Sequence, residues 1–184
     1  MNKYLKAAHL FGLLGGMFCG LAFLVLYLLK TEPVGFTEIF GYVLVPVFVF
    51  FGIKNFKDNV NDGEMLFSQG MTVGFFVYSI LALISGMVIF IFLHMDPVIF
   101  EDYREANLVL LEEKKEVIIE QINKESYEST HENILNMTKF DVAFNDFLRK
   151  VLPGLFFTII ISIALKTTKN LDYGDTSKAP SSGR

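Results

Sequence analysis

The apolar positions of this chain fall in long blocks separated by charged segments. Residues 9–29, HLFGLLGGMFCGLAFLVLYLL, form an almost unbroken apolar run of 21 residues after the basic lead MNKYLK. At about 1.5 Å per residue, such a helix matches a hydrocarbon core of roughly 30 Å. A cleaved signal peptide is the rival reading, but the run is too long for its apolar region and no small-x-small cleavage site follows. A second run, IFGYVLVPVFVFFGI at 39–53, extends back to Phe36 and carries a helix-bending proline, Pro46, in its middle. A third, MTVGFFVYSILALISGMVIFIFL at 71–93, reaches from Phe67 to His94. The fourth, VLPGLFFTIIISIAL at 151–165, is short. It needs Phe147 and Leu148, which puts Arg149 and Lys150 at the interface, where long side chains snorkel. The pattern predicts an all-α, integral membrane four-helix bundle in one domain, with spans at about 9–29, 36–53, 68–94 and 147–165.

Between the third and fourth runs lies the one sizeable polar region, and it predicts a helical extramembrane insert over 96–146. Phe100, Tyr103, Asn107, Lys114, Ile118 and Ile122 recur at helical spacing, which reads as one long amphipathic helix. Asp96 and Pro97 suit its cap and first position. A break near Ser126–Thr130 precedes a second periodic set, from Ile134 to Leu148, that runs into the fourth span. The insert either projects as a hairpin or lies flat on the lipid. Residues 170–184 are polar and predict a disordered tail.

Charge sharpens this division. Residues 96–150 hold thirteen acidic and seven basic side chains, against seven and nine elsewhere. An acidic segment of that kind gives no support to nucleic-acid binding, which needs concentrated positive charge. Lys3, Lys6, Lys54, Lys57, Lys166 and Lys169 fall on one side of a four-span path. Lys30, Arg104, Lys114, Lys115, Lys139, Arg149 and Lys150 fall near span ends on the other, a nearly even count. The short loops and the acidic central segment favour both termini in the cytoplasm. The single Cys19 lies in the first run and forms no intrachain disulfide.

Small residues mark helix-packing faces. Gly12, Gly16 and Gly20 share one face of the first span, and Gly70, Gly74, Ala82 and Gly86 place a comparable stripe on the third. Intrachain packing is the plainest use of these stripes, a homodimer contact the second, a lipid or ligand groove the third.

Candidate chemistry is sparse. The stretch FGIKNFKDNVNDGEMLFSQG at 51–70 has lysines and an acid, yet lacks the GxxxxGK[ST] order of a phosphate loop. Gly52, Lys54, Asn55, Lys57 and Asp58 read instead as a cytoplasmic loop motif. His94 and Asp96 are two metal-ligand types where a zinc site wants three or four. His9 and the His131–Glu132 pair are too scattered to add to them. The spans offer Cys19, Tyr27, Tyr42, Tyr78, Ser79, Ser85, Thr158 and Ser162, with no mid-span carboxylate, lysine or arginine, where an ion-coupled carrier places an ionisable group. No catalytic, cofactor-binding or metal residues are assigned, and an enzyme is the less favoured class.

The layout resembles the DUF4199 family of membrane proteins, found mostly in Bacteroidetes. The resemblance rests on FGIKNFKDN at 51–59, on Gly63, Phe67 and Gly70, on DPVIFEDY at 96–103 and on FNDFLRKVLPGLFFTIIISIALK at 144–166, and covers roughly residues 8–168. It implies a four-span inner-membrane protein with a variable helical insert and no established activity, so it transfers no catalytic residue. Lys57 stands before Asp58 where arginine is common in the family, which keeps the charge and loses the planar fork. Two functions follow as expectations. One is a structural or accessory membrane protein that presents its acidic insert, through 96–150, to a partner. The other is a small oligomeric transporter or lipid-handling protein, which a continuous polar cavity would support and a dry core would sink.

Overall fold

Short polar side chains set where most of the helices begin. In the computed structural model, residues 2–29 and 33–167 are described, with side chains at 2–29, 34 and 41–167. Asn2 accepts a hydrogen bond from the Tyr4 amide at 3.3 Å and opens α1 (Lys3–Leu28). α2 (Pro33–Asn55) follows and ends in a π-helical turn, Phe56–Val60. α3 (Phe67–Met95) starts where the Leu66 amide donates to Gln69 Oε1 at 2.9 Å. Asp96 caps α4 (Pro97–Glu113) through the Val98 amide at 3.1 Å, with Pro97 in the first turn. After α5 (Lys115–Gln121), Asn123 caps α6 (Lys124–Leu135). Thr138 and Asp141 cap each other's amides at the start of α7 (Lys139–Leu165).

Glycines fix the register of the long helices. A Cβ at Gly12 would lie 2.7 Å from Ile80 Cβ, one at Gly16 2.6 Å from Ile84 Cβ, and one at Gly20 3.2 Å from a Val88 methyl. α1 and α3 therefore run parallel, with three β-branched side chains of α3 set into three gaps on α1. α7 runs antiparallel to α3. Ser162 lies against Gly70, Thr158 against Gly74, and Tyr78 against Gly154, each step four residues along both helices. α2 runs antiparallel to α1, with Phe48 at Gly15 and Phe11 at Gly52.

The four-span bundle expected from the sequence is corrected by this structure. Among the described residues, three helices are long and apolar enough to cross a membrane: α1, α3 and α7. α2 is not one of them. It runs over 23 residues, Pro33–Asn55, with Pro46 inside it, and packs antiparallel to α1. The architecture is three candidate spans with α2 packed among them. The turn expected at 31–38 lies partly outside the described residues, and the tail expected at 170–184 lies wholly outside them.

The polar region is folded more tightly than a single long helix. The chain breaks at Lys114 and again at Ile122–Asn123. Those breaks let α5 and α6 turn back on α4, burying Leu111, Tyr127 and Ile134, which a straight helix would leave in water. At its base, Ile99, Phe100 and Tyr103 of α4 pack with Phe23, Ile89, Leu93 and Val142. The Tyr27 hydroxyl donates to Asp96 Oδ2 at 3.1 Å, tying the end of α1 to the α3–α4 corner.

One carboxylate couples this small hairpin to pH. The Lys115 ammonium donates to Glu112 Oε1 at 2.8 Å, and the Tyr127 hydroxyl donates to Glu112 Oε2. The Lys115 bond, then the Tyr127 bond, hold the Glu112 carboxyl below its ordinary value of 4.5, and Lys115 and Tyr127 are both raised in return. A depressed carboxylate stabilises the fold above its unfolded value and loses that contribution as the pH falls through its folded value. Amides of α6 are therefore expected to lose exchange protection, relative to α3, once the pH drops below the usual glutamate range. Glu112→Gln should flatten that response, and equal pH response in both proteins would refute the coupling.

Candidate functional site

α7 carries a feature that hydropathy hides. Asp146, Lys150, Gly154, Thr158 and Ser162 recur every fourth residue and so share one face, and all five are buried. Asp146 and Lys150 are each 1% exposed and form a salt bridge one turn apart. The Ser85 hydroxyl of α3 donates to Asp146 Oδ2 at 2.9 Å. On the α2 side, the Lys150 stem lies along Gly41, where a Cβ would sit 3.1 Å from Cγ and Cε. Cys19 of α1 is buried within electrostatic reach of both charges. An ionic centre thus sits where α1, α2, α3 and α7 meet, with Lys150 the twelfth of the 27 residues of α7.

Lys150, expected to snorkel toward an interface, is instead enclosed in the bundle against Gly41 and Asp146. Only one of the ammonium's three donors has a hydrogen-bond partner among the described residues. Further along the same face, Thr158 Oγ1 and Ser162 Oγ are buried with no hydrogen-bond partner among the described residues, and each packs onto a glycine of α3. The arrangement can hold one fixed ion pair in the closed interior of the helix bundle, and that is a costly thing to build.

The loop residues singled out in the sequence do not converge. Gly52 faces inward, where a Cβ would meet a Val77 methyl at 2.6 Å. Lys54 and Asp58 pair with each other on the surface at 2.7 Å, and Asn55 accepts from Asn59 at 2.9 Å. Lys57 is half-buried beside them. What holds this corner is a different set of bonds. Lys3 Nζ donates to Asn61 Oδ1 at 3.0 Å, the Thr167 amide donates to the Met65 carbonyl at 2.8 Å, and the Thr167 hydroxyl bridges the Met65 amide and the Gly63 carbonyl. Asp62 and Gly63 adopt positive φ to make the turn. The start of α1, the 56–66 loop and the end of α7 therefore share one end of the molecule.

Of the packing residues, Gly12, Gly16 and Gly20 face α3, and Gly70 and Gly74 face α7. Gly86 meets the Ala143 carbonyl, 3.1 Å from where a Cβ would lie, and Ala82 is fully buried. His94 Nδ1 lies 2.8 Å from the Phe90 carbonyl of its own helix, while Asp96 is engaged by Tyr27 and Val98. Among the described residues, no group of three or more histidine, cysteine or acidic side chains is placed to hold a metal.

Three apolar spans, extra-span helices and a closed ionic core define a multi-pass membrane protein that is largely helical. The family model described as a protein of unknown function (DUF4199) matches residues 10–167, and the chain belongs to that family. No curated protein and no solved structure matches it.

Proposed function

We propose that this chain is an inner-membrane accessory protein that presents its acidic insert, within 96–150, to a protein partner. One surface supports this reading above the rest. One face of α4 carries the exposed apolar Val109 and Leu110 beside Asp102, Glu105 and Glu113. Acid-rimmed apolar strips of this kind suit a basic amphipathic segment. The insert also has its own small core, so it can hold that face without the partner.

The cytoplasmic placement of both termini is part of the same proposal. Lys3, Lys6, Lys54, Lys57 and Lys166 lie toward the end where α1 starts and α7 finishes, opposite the insert, and basic span ends favour the cytoplasmic side. The insert then faces the envelope. A carrier or lipid-handling protein is the second reading, favoured by the Ser85–Asp146–Lys150 centre.

Lysine-reactive crosslinking of the full chain in its native membrane, with co-purified proteins, lipids and solutes identified together by mass spectrometry, separates these readings. Reproducible links from Lys114, Lys115 or Lys124 to one other protein are expected. Links confined to the chain itself, or joining two copies of it, would overturn the accessory reading. A retained solute with no protein would move the assignment to the carrier.

A further inference from the structure

Beside the ionic centre, α3 and α7 part on the insert's side to leave a groove of about 640 Å³. Leu83, Gly86, Phe90, Phe140, Phe144 and Phe147 line it. Gly86 forms a floor of bare backbone against the Ala143 carbonyl. Phe140, Phe144 and Phe147 form the wall as a near-parallel ladder, with centroids 5.8 and 6.2 Å apart and planes tilted by 11° and 18°. Phe140 is 62% exposed. The α3 wall lies in a candidate span, and Met87, Ile91, Phe140 and Phe144 leave the groove open on the outer surface of the helix pair.

One turn before the groove-lining Ala143, α7 begins with an unmatched charge. Lys139, the first residue of α7, is half-buried and has no acidic partner among the described residues. The nearest carboxylate in sequence, Asp141, is committed to Thr138. His94 stands at the same level on α3, its ring 4.3 Å from that of Phe90. A flat-walled apolar slot beneath a free cation matches one lipid chemistry. We propose that the groove holds an acyl chain of an anionic phospholipid from the surrounding bilayer, with its phosphate against Lys139. A second copy of the chain fits less well. Symmetric pairing uses the same patch on both copies, so it would bring a second Lys139 to the interface instead of an anion.

The chain contains no tryptophan, so Phe144→Trp creates a single reporter in the groove wall. Phe156→Trp, on an exposed position of α7 outside the groove, serves as the bulk-lipid control. Each variant of the full chain is reconstituted in phosphatidylcholine vesicles and titrated with brominated-chain phosphatidylglycerol or brominated-chain phosphatidylcholine. Quenching of the Phe144→Trp variant is expected to saturate at about fivefold lower mole fraction for the anionic lipid, the attraction of one lysine at a membrane surface. Lys139→Gln should remove that preference, and Phe156→Trp should show none. If the two reporters respond alike, the groove holds only bulk lipid and the proposal fails. An absence of quenching in the Phe144→Trp variant would mean that protein covers the groove, which also overturns it. Phe140→Trp provides the same readout if Phe144→Trp does not fold.

Discussion

Removing one member of the buried ion pair is expected to destabilise the protein several times more than removing both. Asp146→Asn leaves the Lys150 ammonium against Gly41 with no countercharge, at a position closed to solvent on every side. Lys150→Met leaves the Asp146 carboxyl with Ser85 alone. Breaking such a pair from one side costs about 3–5 kcal/mol, whereas replacing both partners by apolar residues of similar volume is often neutral or stabilising. Methionine follows the path of the lysine stem along Gly41, so Asp146→Leu with Lys150→Met should pack. The remaining cost is the Ser85 hydrogen bond, about 1 kcal/mol, and that hydroxyl can turn to a carbonyl of its own helix. Reversible unfolding in mixed micelles by added dodecyl sulfate should place each single variant at least roughly 3 kcal/mol below the parent and the double within about 1 kcal/mol of it. Equal losses in all three would show that the pair is not coupled. A double variant as stable as the parent would mean that stability is not the reason for the charges, which is the condition under which the carrier reading gains weight.

The helical segments were legible because apolar runs and capping residues act locally. Asp96 with Pro97 announces α4 from two residues, and the runs around 9–29 and 71–93 coincide with α1 and α3. What failed is instructive about hydropathy itself. A window average penalises Asp146 and Lys150 separately, so hydropathy begins the fourth span at about residue 147 and leaves Asp146 outside it, although charges four residues apart on one helix face can cancel in place. The usable signal was the fourfold repeat Asp146, Lys150, Gly154, Thr158, Ser162, which answers Gly70, Gly74, Tyr78, Ala82, Gly86 on α3. Read together, the two repeats predict an antiparallel seam. Partner helices decide such a match, and no single segment contains it. The breaks at Lys114 and Ile122–Asn123 were hidden for a similar reason, since α4 and α5 keep helical periodicity on both sides and the gain from folding back is tertiary.

That seam sets the second large effect, at Gly74. A Cβ there would lie 2.4 Å from Thr158 Cγ2 and 2.6 Å from Oγ1. Thr158 has no room to yield, because a β-branched side chain in a helix has few χ1 choices and its turn is buried. Gly74→Ala must therefore push α7 away from α3, and overpacking of this kind costs about 1–3 kcal/mol, with Gly74→Leu beyond that range. Thr158→Ala alone should be close to neutral. It gives up contact with Gly74 but also deletes a buried hydroxyl that has no partner among the described residues. Combined with Gly74→Ala it removes the two closest atoms and leaves Thr158 Cβ at 3.0 Å, so the pair should recover part of the loss. Gly20→Ala, whose nearest neighbour would be a Val88 methyl at 3.2 Å, is expected to cost less than Gly74→Ala. Micellar unfolding of the five variants measures the order directly. If Gly74→Ala unfolds at the parent's midpoint, or if Thr158→Ala recovers none of its loss, α3 and α7 do not approach as closely as this register requires.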